Sequence, residues 1–172
     1  MHGGRAGARR GVSRLLAAAA ELRYGRSQES IVTKGVPMGD AAGIVQRLTD
    51  GAFIGGDIEL VDELIADDFV SHDPPPGMPA TRAGQRAVAE IVVGAFSDRR
   101  VEFDEYIETT DGRVVESWAM IATHSGEAFG VPGSGQQVRV RGIEIWRCSD
   151  GKIVEHWGSV DMSDVFEKAQ AA

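Results

Sequence analysis

Cysteine is nearly absent from this chain: Cys148 stands alone among 172 residues, so no internal disulfide can form and a disulfide-stapled secreted scaffold is excluded. The lone thiol points instead to a reducing, cytoplasmic setting. Long apolar runs are lacking as well. None approaches the ~20 residues needed to cross a bilayer, so no membrane span is expected. Histidine is scarce, and the three in the body of the chain, His72, His124 and His156, are too far apart in sequence to show metal-ligand spacing. No metal and no cofactor are expected. The glycine-rich stretch Gly130 to Gly135 lacks the Lys-Ser/Thr pair and helix start of a phosphate loop, which leaves it as a strand connection or a lid over a pocket.

What is present is the composition of one globular domain, with 42% hydrophobic residues and a length sufficient for a single core. Charge is unevenly spread. Residues 1 to 37 carry Arg5, Arg9, Arg10, Arg14, Arg23, Arg26 and Lys34 against Glu21 and Glu29, a balance of +5, while the whole chain is at −8, which leaves −13 for the remainder. This basic extension, rich in Gly, Arg and Ala with few large apolar residues, reads as disordered, and the domain as residues 38 to 172. Arg9-Arg10 ahead of an apolar stretch resembles a twin-arginine leader, but Glu21 interrupts that stretch after Ala20, so export is not expected. Met38 is a second candidate start. The acidic body would repel phosphate, so nucleic acid is not an expected partner.

From Asp40 the elements become legible. Ile44, Val45, Leu48, Ala52 and Phe53 recur at helical spacing up to Gly55-Gly56, and Asp57 caps a second helix with Ile58, Val61, Leu64 and Ile65. An extended Phe69 to His72 runs into Pro74-Pro75-Pro76. A third helix begins near Thr81, with Ala87, Val88, Ile91, Val92, Ala95 and Phe96 as its stripe. After Arg100 the period changes to two. Val101, Phe103 and Ile107 mark one strand; Asp111-Gly112 turns into a second from about Arg113 to His124; a third spans about Gln137 to Arg147; and Asp150-Gly151 turns it into the last, ending near Asp161. Helices followed by an antiparallel meander predict an α+β fold, with the helices packed on one face of a curved sheet.

Alternation along the last strand puts Glu155, Trp157, Ser159 and Asp161 on one face, an acidic and aromatic mixture that suggests a pocket wall. By the same rule Trp118, Met120, Ala122 and His124 share a face of their strand, assigned to the pocket with His124 at its rim. There His124 either donates to a carbonyl oxygen and moves a proton or is a surface histidine bonded to the neighbouring loop. Glu144 shares a face with Gly142 and Trp146 and is read as cavity-facing, with a structural or substrate-orienting role, because Arg139 and Arg141 have the opposite parity. Trp157, Trp118, Met120, Glu144, His72 and Phe53 are the candidate contacts for a small hydrophobic molecule. For His72 a loop histidine capping a turn is the competing reading, and Asp73 is read as a cap of the proline turn. Glu59, Asp62, Glu63, Asp67 and Asp68 form a solvated face.

Several segments carry a resemblance. Thr123-His124-Ser125-Gly126-Glu127, Gly130-Val131-Pro132, Val140 to Arg147, and Asp150 to Trp157 with Asp161 resemble the SnoaL-like polyketide cyclases of the nuclear transport factor 2-like superfamily, over roughly residues 40 to 168. The resemblance implies a cone-shaped α+β fold. It implies a cofactor-independent cyclase acting on a hydrophobic carbonyl compound, with Asp161 as general acid and base in an intramolecular aldol-type ring closure; the strand face adds His124 as a second candidate catalytic group. Many relatives carry a bulkier or polar residue where Gly158 stands. Since the fold does not settle the activity, a non-catalytic ligand-binding or dimerisation module, an isomerase and an epoxide hydrolase remain open. The limonene type of epoxide hydrolase needs an Asp-Arg-Asp set, where this chain offers Trp118-Ala119-Met120. Ketosteroid isomerase uses a Tyr that the first helix lacks. A homodimer is expected through the outer sheet face, with Ile143, Ile145 and Val154.

Overall fold

The structure is a computed structural model that describes residues 40–172; the extension expected over residues 1–37 lies outside the described residues. Helix α1 (Asp40–Arg47) continues into a π-helical stretch, Leu48–Ile54. Its widened turn is seen in the Gly55 N–H donating to the Asp50 carbonyl five residues back, at 2.9 Å. Ala41, Ala42, Val45, Leu48 and Ala52 are its buried stripe. Helix α2 (Glu59–Leu64) passes directly into strand β1 (Ile65–Ser71). The extended segment foreseen at Phe69 therefore starts earlier, at Ile65, where pairing with the last strand replaces helical bonding.

Helix α3 (Arg82–Ala95) leads into the long β2 (Phe96–Glu108), followed by β3 (Arg113–His124), β4 (Gln137–Ser149) and β5 (Lys152–Asp161). The turn from β4 to β5 has positive φ at both Asp150 and Gly151, 51° and 76°, the tight form that suits the twist of a hairpin. A last helix, α4 (Ser163–Gln170), was not foreseen from the sequence. The sheet order is β1-β5-β4-β3-β2. Strands β2 to β5 form the expected antiparallel meander, and β1 adds a parallel edge beside β5. Register shifts in β2, at Ser97/Arg100 and Phe103/Glu105, bend the sheet. Inside that bend the Arg99 guanidinium donates to Phe53 O at 2.9 Å and to Ile54 O and Val93 O at 3.1 Å, giving partners to carbonyls where two helical segments end.

The register sets what the helices meet. Directly opposed residues share a face, so the inner face reads as rungs: Val114 with Trp146 and His156, Glu116 with Glu144 and Gly158, Trp118 with Gly142 and Val160, Met120 with Val140, Ala122 with Val138. Apolar rungs lie at both ends. The first joins α1, α2 and β1 in one buried cluster containing Leu48, Phe69 and Trp146, and the last join Phe96 and Val165 in a second. Between them runs a rung of two carboxyl groups and a glycine, where a cavity opens.

Candidate active site

The cavity has a volume of about 1060 Å³ and is lined mainly by apolar side chains, among them Phe53 and Ile54 from the π-helical stretch, Val88 and Val92 from α3, Phe96, Trp118, Met120 and Val140. That volume suits a drug-sized or larger organic molecule. Phe129, Val160 and Phe166, each partly exposed, stand around it. Phe129 belongs to a tight turn in which Ala128 and Val131 exchange two backbone hydrogen bonds of 2.9 Å, and its φ of 49° is uncommon for a bulky residue.

The polar groups converge on Glu144, whose side chain is 15% exposed. Trp118 Nε1–H donates to its Oε2 at 3.2 Å, and His156 Nε2 lies 3.6 Å from its Oε1, close enough for ion pairing but long for a hydrogen bond. His156 is 6% exposed and held on two further sides: its Nδ1 is 3.3 Å from the hydroxyl of buried Ser71, and its ring lies 4.0 Å from that of Trp146. If the Ser71 O–H donates to Nδ1, the ring proton sits on Nε2 and faces Glu144. Beneath them Glu116 is fully buried; Trp146 Nε1–H donates to its Oε1 at 2.8 Å, while among the described residues no N–H or O–H reaches its Oε2. Burial, and after it the charge of Glu144, push the Glu116 carboxyl up to about 8, against the opposing Trp146 bond. A proton held on Glu116 and donated to Glu144 satisfies the otherwise orphaned oxygen and removes the repulsion between carboxylates directly opposed across two strands.

The residues singled out from the sequence divide into two groups. Trp118, Met120, Glu144 and Phe53 line the cavity together. Trp157 does not. It pairs with Ile145 on the outer face and stacks on His72 at 4.3 Å with nearly parallel rings, while the neighbouring Glu155 pairs with Arg147 and with His72 at 3.5 Å. The expectation that Glu155 and Trp157 wall the pocket is corrected, because the register turns His156, Gly158 and Val160 inward. His72 belongs with that outer pair, outside the cavity lining. The placement of His124 is corrected too: neither at a rim nor on the surface, it is 0% exposed, stacked on Phe96 at 5.2 Å, with neither ring nitrogen hydrogen-bonded. Asp161 is exposed and touches the cavity only at the end of β5, where its carboxylate accepts bonds from the Ser163 hydroxyl and, at 2.9 Å, the Ser163 N–H. These two bonds hold it below the usual carboxylate range. Asp73, read as a turn cap, also lines the cavity.

Sequence reasoning missed Glu116, His156 and Ser71. Glu116 has the parity of Trp118 and Met120 and was open to the same rule; His156 was hidden by assigning its strand the opposite face. Among the described residues no cluster of His, Cys, Asp and Glu has metal-binding geometry, and no helix is long and apolar enough to cross a membrane.

A curved sheet with helices over one face, enclosing an apolar cavity with an ionisable group in its wall, is the nuclear transport factor 2-like fold. The family model for SnoaL-like polyketide cyclases matches residues 43–168, and the chain belongs to that family. Its fold is similar to that of IdmH from Streptomyces antibioticus, a candidate polyketide cyclase, at 30% identity and a TM-score of 0.64, covering 77% of this chain and 99% of IdmH. It also resembles AclR from Streptomyces galilaeus, a candidate hydroxylase, at 24% identity and a TM-score of 0.67 over 79% of this chain and 99% of that one. An LEH-like epoxide hydrolase from M. tuberculosis shares the fold at 14% identity and a TM-score of 0.57, covering 77% of this chain and 90% of its own. No curated protein matches the sequence.

Proposed function

We propose that the protein is a cyclase-type enzyme that moves protons on a hydrophobic carbonyl compound, with Glu144 as the group that removes and returns the proton. One observation carries this reading: Glu144 is the carboxyl group in the cavity wall on which an indole N–H and an imidazole converge, backed by a second, buried carboxyl. A base so oriented can take a proton from carbon beside a carbonyl; the electron pair left behind attacks a second carbonyl carbon, and the oxygen so charged takes a proton back. The apolar walls of the cavity suit the hydrophobic body of such a molecule. The candidate cyclase IdmH, with the same fold, supports ring closure as the outcome.

The family resemblance gives the acid and base role to Asp161, and Asp161 remains the competing group because it touches the cavity. Its exposure and its two bonds from Ser163 make it a weaker base, which favours Glu144. We read the protein further as a cytoplasmic homodimer. The test of the activity is deuterium uptake beside the carbonyl of hydrophobic ketones in heavy water, followed by NMR. Wild-type protein should accelerate uptake for at least one ketone, and Glu144→Gln should reduce that acceleration ~10²-fold or more while ketone binding stays within a few fold. Binding without any acceleration by the wild type would favour a non-catalytic pocket instead.

A further inference from the structure

Two glycines lie on the inner face beside Glu144's ring partners, Gly142 on the rung of Trp118 and Gly158 on the rung of Glu144 itself. An ideal Cβ placed on Gly142 would fall 2.5 and 2.6 Å from Cζ2 and Cε2 of Trp118 and 3.1 Å from its Nε1. On Gly158 it would fall 2.9 Å from both Cε1 and Nε2 of His156 and 3.3 Å from Cγ of Glu144. Each ring therefore occupies the space that a side chain on its glycine would take. The Trp118 indole covers Gly142, its direct partner on β4, and the His156 imidazole leans along β5 over Gly158, its neighbour two residues on. Contacts this close to ring atoms leave no place for a methyl group unless the ring lifts off the sheet.

We infer that Gly142 and Gly158 are positioning residues, which seat Trp118 and His156 against the sheet so that their nitrogens reach the two oxygens of Glu144. Trp118 meets Oε2 and His156 faces Oε1, so the carboxyl group is addressed on both sides by rings seated against the backbone beneath them. His156 has little freedom to yield, with Trp146 at 4.0 Å and Ser71 on its Nδ1. Gly158 itself lines the cavity, and both glycines act through the rings they seat. Their value is that a carboxyl group held in one orientation does not have to be reoriented when the proton moves. The consequence for catalysis rests on Glu144 being the proton-handling group; the seating itself does not.

The test uses the full chain labelled for NMR. Gly158→Ala should move the imidazole nitrogen resonances of His156, and Gly142→Ala the indole N–H resonance of Trp118. Gly94→Ala, where an added Cβ meets nothing within 4 Å, should move neither. In the ketone exchange assay Gly158→Ala should lower turnover about tenfold with little change in ketone affinity, and should lower it no further once Glu144→Gln is present. Unchanged His156 resonances in a folded Gly158→Ala protein would overturn the inference. Should that protein fail to fold, the Trp118 resonance in Gly142→Ala decides in the same way. Resonances that move in a protein whose wild type exchanges no ketone would uphold the seating and defeat the proposed activity, so the two failures are distinct.

Discussion

Buried opposite Glu144, the Glu116 carboxyl is raised from 4.5 to about 8 by burial first and by its neighbour's charge second. An unfolded chain gives it an ordinary carboxyl value, so between about pH 4.5 and 8 the native state binds more protons than the unfolded one. Its contribution to stability is then complete below the unfolded value and is lost as the pH rises through the folded one. Wild-type stability should fall from about pH 5 to pH 8.5, and Glu116→Gln should flatten that slope by roughly 1 kcal/mol or more, since an amide can still accept from Trp146 and donate to Glu144 without ionising. Urea unfolding of both proteins across this range measures it. Parallel slopes would mean that Glu116 does not hold a proton in the native state.

At the scale of elements, Asp161 belongs to the start of α4 more than to the cavity. Its Oδ1 accepts the Ser163 N–H, one of the donors that a helix leaves unpaired at its first turn. Asp161→Ala should therefore lower the thermal midpoint by a few degrees, while Asp161→Asn, which keeps an acceptor oxygen, should lower it less. Equal midpoints for the wild type and Asp161→Ala would remove the capping role. Here the limits of reading the sequence are physical. The change of period after Arg100, the turns Asp111-Gly112 and Asp150-Gly151, and the parity of β3 and β4 are local signals, and they suffice for β3, β4 and β5 and for Trp118, Met120 and Glu144, whereas β2 begins at Phe96, which its helical spacing assigns to the preceding helix. The face of β5 is not local. Both of its parities carry ionisable and aromatic residues, Glu155, Trp157 and Asp161 on one and His156 on the other, and the register with Glu144 and Trp146 decides between them. Likewise β1 follows from a parallel partner about 88 residues away, a pairing that no turn signal announces.

At the scale of the molecule, the helices among the described residues occupy the inner face of the sheet, and none of them packs on its outer face. Ile143, 58% exposed, stands there with Ile145 partly covered, whereas Val154, expected on the same face, falls at the register shift between β4 and β5. We expect a dimer at micromolar concentration by light scattering after size exclusion, and Ile143→Asp should shift it toward monomer, because a charge buried in a self-complementary interface meets its own copy or an apolar surface. A monomeric wild type would refute this arrangement. The family, the fold and the cavity are independent of it. In the proposed reaction the proton passes through Glu144, between two aromatic rings, and not through Asp161 at the end of β5. The direct measurement is deuterium uptake into an exchanged ketone by the wild type, Glu144→Gln and Asp161→Asn at equal concentration of folded protein. A loss of ~10²-fold or more for Glu144→Gln with Asp161→Asn within about threefold of the wild type is the predicted result; the reverse order would contradict it and return the acid and base role to Asp161.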